Sequence, residues 1–113
     1  MRRVNMKNKK QMNLKLATLL CKESVVIYGR NENGEADRCF QKGKEYLFCV
    51  DEKKGEIFTL NDVKEVHFLS LSDYYTDKHF KVLTIKDIEK YDLDEFTLNR
   101  MKKLYKEKYH YEE

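Results

Sequence analysis

Four side chains in the middle of the chain carry the donor types of a zinc site: Cys39, Cys49, His67 and His79. Zinc takes thiolate and imidazole ligands in a tetrahedron, and short Cys–Cys or His–His spacings usually bring them together. No such spacing occurs here. Cys49 also sits inside the apolar run Tyr46-Leu-Phe-Cys-Val50, where a free cysteine behaves as a small core residue. No metal ligand set is therefore assigned.

The same residues offer a second chemistry, a Cys39 nucleophile beside His67 or His79. Nucleophilic catalysis needs a base within hydrogen-bond reach of the thiol. The chain has no nucleophile elbow and no glycine-rich phosphate loop. Its four glycines, at 29, 34, 43 and 55, are spread one per turn. His67 alternates with Val66 and Phe68, which makes it a strand residue facing away from both. The acidic pairs Asp51-Glu52 and Asp94-Glu95 fall in a hairpin loop and at a helix start, where carboxylates are solvated or capping. The expectation is a non-enzymatic protein with no catalytic residue and no cofactor.

Binding by surface contact is what remains. Tyr74-Tyr75, flanked by Asp73 and Asp77, forms a candidate protein-contact patch, since tyrosine is rigid, amphipathic and favoured at interfaces. The second candidate is basic. Residues 1–22 carry seven Lys/Arg and no acid, whereas residues 23–113 carry sixteen against twenty Asp/Glu. A basic arm on a mildly acidic body differs from a uniformly basic nucleic-acid binder. Arg2, Arg3, Lys7, Lys9, Lys10 and Lys15 would neutralise phosphates and release counterions without needing a fold. The body offers no RNA-binding aromatic signature, helix-turn-helix pattern or zinc finger, so nucleic acid is the alternative partner and protein the first.

The elements that must position these groups belong to one domain of 113 residues, 38% charged and 12% aromatic. Three cysteines without a close pair point to reduced thiols. No apolar run reads as a signal peptide or a membrane span, so the chain is expected to be cytoplasmic and away from membranes. Residues 1–12 read as a basic flexible arm, and 13–113 as a single α+β domain with a β core over 24–83 and a helical segment over 84–110. Within 14–23, apolar positions 16, 19 and 20 fit a short helix while 14 and 16 alternate like a strand; the reading taken is helix. Strands are expected at 24–28, 46–50, 56–60, 66–71 and 80–83.

Tyr46, Phe48 and Val50 lie on one face of their strand, and Leu47 and Cys49 on the other. A strand apolar on both faces must be covered on both. SDYYTDK reads as a loop. A short helix is expected over IKDIEKY, residues 85–91, begun by Thr84 as N-cap or by Lys86-Asp87. A longer one, capped by Asp92 or Asp94, should run to about Tyr109 with Leu98, Met101, Tyr105 and Tyr109 on one face. Core residues are expected to include Val25, Ile27, Leu47, Phe48, Val50, Phe58, Leu60, Phe68, Leu69, Phe80, Val82, Ile85, Ile88, Phe96 and Met101.

Gly43-Lys44-Glu45-Tyr46, the hairpin Asp51–Gly55, Asn61-Asp62, His67 and Phe80-Lys81-Val82-Leu83 together resemble small SH3-like β-barrel proteins of low-GC Gram-positive bacteria and their phages. The resemblance spans roughly residues 38–84. It implies a five-stranded SH3-like barrel or bent antiparallel sheet with helices at the C-terminus. By analogy it also implies a binding module that inhibits a larger host or defence enzyme, of the anti-CRISPR type. It transfers no catalytic residue. The oligomeric state is left open.

Overall fold

The structure, a computed structural model, describes residues 14–27 and 36–112, with 109–112 described by backbone only. Among the described residues there are seven strands: β1 (Lys15–Cys21), β2 (Val25–Ile27), β3 (Asp37–Phe40), β4 (Glu45–Asp51), β5 (Glu56–Leu60), β6 (Val66–Ser70) and β7 (Phe80–Asp87). Two α-helices, α1 (Tyr74–His79) and α2 (Glu95–Glu112), and a 3-10 turn at Ile88–Lys90 complete the described chain. The main sheet has five strands in the order β6-β5-β4-β1-β7. Every pairing in it is antiparallel. The fold is α+β, a five-stranded antiparallel sheet with C-terminal helices.

The sheet is open. β6 and β7 lie at its two ends and do not pair with each other, so the SH3-like barrel is corrected to an open sheet. The strand expected at 24–28 is β2, and it pairs with β3 in a separate two-stranded ribbon. Its expected place in the main sheet is taken by β1, which was read as a helix. The reason is burial on both sides. Leu16 packs on one face while Ala17, Leu19 and Cys21 pack on the other. A central strand covered on both faces loses the alternation that marks a strand, and Leu and Ala are good helix formers.

The sheet's two faces carry two cores. On one, the β2–β3 ribbon covers Ala17, Leu19, Phe48, Val50 and Ile57, with Phe40 of β3 at the centre. The Phe40 ring lies 4.8 Å from Tyr46, 5.7 Å from Phe48 and 5.2 Å from Phe80. On the other face, Met101, Leu104 and Tyr105 of α2 cover Leu16, Cys49 and Phe58. Burying each such large side chain contributes roughly 1.5–3 kcal/mol before entropy is counted. The expected division of β4 is seen: Phe48 and Val50 belong to the ribbon core, Cys49 to the helix core.

Tyr105 also locks the two central strands. Its hydroxyl accepts from the Val50 N–H at 2.8 Å and from the Lys15 N–H at 3.2 Å. It faces the carbonyls of Lys15 and Val50 as acceptors. Lys15 and Val50 are register partners, so one side-chain hydroxyl meets all four backbone polar groups of that pair.

Two further expectations are corrected at the end of the sheet. SDYYTDK is not a loop: Asp73 caps α1, its side chain accepting from the Tyr75 N–H. The residues from Thr84 are not helical: β7 runs on to Asp87 because Ile85, Lys86 and Asp87 pair with Ala17, Leu16 and Lys15. Only Ile88–Lys90 then turns, bringing Ile88 into the helix-side core. The Asp94 cap of the long helix is present, its Oδ1 accepting from the Thr97 N–H at 3.0 Å.

Candidate functional site

The two cysteines first weighed for chemistry are held apart. Cys39 is in the ribbon core and Cys49 in the helix core, on opposite faces of the sheet. Cys49 donates to the Met101 carbonyl, and burial pushes its thiol far up from the ordinary range. Burial also raises the Cys21 thiol, against a hydrogen bond to the Glu23 carbonyl that lowers it. A thiol held protonated is a poor nucleophile. Asn61 uses its Oδ1 to accept from the Val63 and Glu65 N–H groups at 3.1 and 3.0 Å. That orientation makes its Nδ2 the donor to His67 Nδ1 at 3.3 Å, so this ring nitrogen is an acceptor. His79 instead uses Nδ1–H to donate to the Glu23 carbonyl at 2.9 Å. Both imidazoles bind neighbouring turns. Among the described residues no group of three or more His, Cys, Asp or Glu is placed to hold a metal ion.

Beside His67, Tyr46 donates to Asp62 Oδ2 at 2.8 Å and accepts from the Gln41 N–H at 2.8 Å. Burial, together with the hydrogen bond and charge of Asp62, pushes this phenol up to about 12. The network ties the Asn61-Asp62 turn to the start of β4, and Asp62 N–H donates to the Cys39 carbonyl at 2.8 Å.

A shallow groove of about 120 Å³ runs along the β6 edge between Phe58, Val66, Phe68 and Leu104. Lys108 also lines it, 2.9 Å from Glu56 Oε1 and 3.6 Å from Asp51 Oδ2, with the Phe58 and Phe68 rings beside it. Small-molecule sites are typically about 300–1,000 Å³, so this groove is too small for one. Lys108 is buried, because 101, 104, 105 and 108 follow the 3–4 spacing of a single helix face.

The opposite edge differs. Val82, Leu83 and Ile85 of β7 are 41%, 40% and 44% exposed. Val82 and Ile85 were expected in the core; they sit on the last strand of the sheet, beyond the reach of the ribbon and of α2. The backbone alternation of β7 follows from its register with β1. Ile88 N–H donates to the Leu14 carbonyl and Lys22 N–H to the His79 carbonyl. Counting inward by alternate pairs, Lys81, Thr84 and Lys86 direct their backbone groups to β1, while Val82 and Ile85 direct theirs outward. The register shift at Thr18/Leu19 leaves Leu83 as the extra residue of a β-bulge.

The tyrosine patch lies at the start of this edge. Tyr74 is 80% exposed, and the Tyr75 ring lies tilted against His79 with centroids 4.5 Å apart. Asp73 caps the helix, and Asp77 is exposed in its first turn. Helix α1 runs without a break into β7 at Phe80, whose N–H closes the helix on the Thr76 carbonyl. The patch and the edge strand are thus consecutive in the chain from Asp73 to Asp87, with Phe80 buried at the junction. Sequence reasoning found the tyrosines and missed the edge, because Val82 and Ile85 read as core.

The basic candidates are not brought together by the described chain. Arg2, Arg3, Lys7, Lys9 and Lys10 lie outside the described residues. Lys15 belongs to β1, with its Nζ 3.1 Å from Glu52 Oε2. No helix among the described residues is long and apolar enough to cross a membrane. No protein family, curated protein or solved structure matches the chain.

Proposed function

We propose that the protein is a non-enzymatic protein-binding module whose contact surface is the β7 edge together with helix α1. One observation carries this reading. β7 is an eight-residue edge strand with exposed apolar side chains and with backbone groups at Val82 and Ile85 that no described strand uses. Such an edge accepts an added strand: main-chain hydrogen bonds supply affinity, and alternate side chains supply specificity. Tyr74 and Tyr75 extend the contact at one end. An inhibitor of a larger host or defence enzyme works by contact of this kind, so that role stays within the reading.

The test is site-directed photo-crosslinking in the source cell, with the reactive group at Leu83, at Tyr74 and, as a control, at Glu52. The reading expects one and the same protein at Leu83 and Tyr74 but not at Glu52. Ile85→Pro should abolish that product while leaving the fold intact, since it removes a donor that β1 does not use. Equal capture at Glu52, or capture unaffected by Ile85→Pro, would count against it. A nucleic-acid role of the basic arm predicts something else: salt-sensitive DNA or RNA binding that disappears when residues 1–12 are removed.

A further inference from the structure

Resting on the reading of β7 as a docking edge, we infer that its partner is an extended segment of another protein with the pattern acidic–apolar–any–apolar–acidic, and that a second copy of this chain is excluded by charge. Lys81 and Lys86 bracket the exposed stretch of β7. Their register partners on β1 are Leu20 and Leu16, four residues apart and on the helix face of the sheet. Val82 and Ile85 pair with Leu19 and Ala17, which lie on the ribbon face. The bulge at Leu83 compresses the five-residue lysine spacing on β7 to four on a regular strand beside it. An antiparallel strand bonded to the outward groups of Val82 and Ile85 therefore sets residues i and i+4 opposite Lys86 and Lys81. Its residues i+1 and i+3 fall opposite Ile85 and Val82. Carboxylates at the outer two positions and β-branched apolar residues at the inner two complete the match, since cross-strand pairs of opposite charge are favourable.

A second copy cannot supply that pattern. The two-fold antiparallel pairing that uses both Val82 and Ile85 on each chain matches Val82 with Ile85 of the other copy. It then sets Lys81 directly opposite Lys86, twice. Like charges directly opposite are destabilising, and lysines and bulges are the usual protection of an exposed edge. Charge reversal at one lysine should remove this protection.

The experiment uses the full chain, labelled with nitrogen-15, and two capped heptapeptides at millimolar concentration. One has Glu at positions 2 and 6 and Val at 3 and 5; the other has Lys in place of both Glu. The Glu peptide should shift the Val82 and Ile85 amide resonances and bind about tenfold more tightly than the Lys peptide, as two reversed cross-strand charge pairs imply. The double variant K81E/K86E should invert the preference. Sedimentation should find the wild type monomeric and the single variant K81E dimeric. Equal binding of both peptides at β7 would overturn the charge pattern and leave the docking edge standing. Neither peptide shifting those amides would overturn both. A wild-type dimer formed through β7 would overturn the exclusion of a second copy.

Discussion

β4 and β7 are strands of similar length and similar apolar content with opposite fates. Glu45-Tyr-Leu-Phe-Cys-Val-Asp51 is covered on both faces, by the β2–β3 ribbon and by α2. Phe80-Lys-Val-Leu-Thr-Ile-Lys-Asp87 is exposed along residues 81–86. The charges tell them apart. In β4 the acids stand at the two ends and five uncharged residues run between them. In β7 two lysines enter the strand itself, on the helix face, and Lys86 lies over the Tyr91 ring at 4.7 Å. A strand with apolar residues on both faces is sealed only if both faces are covered, and charge inside the run marks the one left open.

The comparison breaks most sharply in a pair of truncations. Phe48→Ala should cost about 3–5 kcal/mol, the range for a buried phenylalanine. Val82→Ala should stay within about 0.5 kcal/mol, as for an ordinary surface change. Urea unfolding measures both; similar losses would mean that β7 is packed after all. Next in size is Lys108→Met, which leaves Asp51 and Glu56 without their cation beside the helix core. Breaking a buried ion pair costs about 3 kcal/mol or more. A neutral result would place Lys108 in solvent.

A smaller effect sharpens the account of the central strands. Tyr105→Phe removes the hydroxyl that meets the Lys15↔Val50 pair and should cost about 1–2 kcal/mol by leaving the buried Val50 N–H without it. The unfolding slope should not change. A pH step probes the ribbon side. The Tyr46 phenol is held protonated up to about 12 in the fold, against about 10 in the unfolded chain. Its contribution is complete below pH 10 and is lost as the pH rises from about 10 to about 12. Stability measured across that window should fall less in Tyr46→Phe than in the wild type.

Much of the fold was legible because local signals agreed with the final placement. Gly43 stands at positive φ in the turn before β4, and Gly55 at positive φ ends the next hairpin. Tyr46 to Val50 divided between two cores as its alternation required. Asp94 caps α2, and the side chain and backbone of Thr97 lower its carboxyl below the ordinary value. Legibility failed where tertiary context outweighed pattern. β1 lost its period by being buried twice. Phe96 was expected inside but is 72% exposed, since position 96 lies off the Leu98-Met101-Tyr105 stripe, and Arg100 sits over its ring instead. Helix α1 has six residues, too few for a helical period to show.

The candidate site was half legible. The tyrosines of α1 were visible as an exposed aromatic pair. The edge beside them was not, because the rank of a strand within a sheet depends on which others pair, and β1 had been read as helix. With β1 inserted between β4 and β7, the last strand becomes a border.

Native-state hydrogen exchange, residue by residue, tests that border most directly. In dilute monomer the Val82 and Ile85 amides should exchange close to the rates of an unprotected chain, while those of Cys49 and Val50 wait for global unfolding. Lys81, Thr84 and Lys86, turned toward β1, should fall with the protected set. Val82 and Ile85 amides as slow as those of β4 would contradict the account, since β7 would then have no edge to offer.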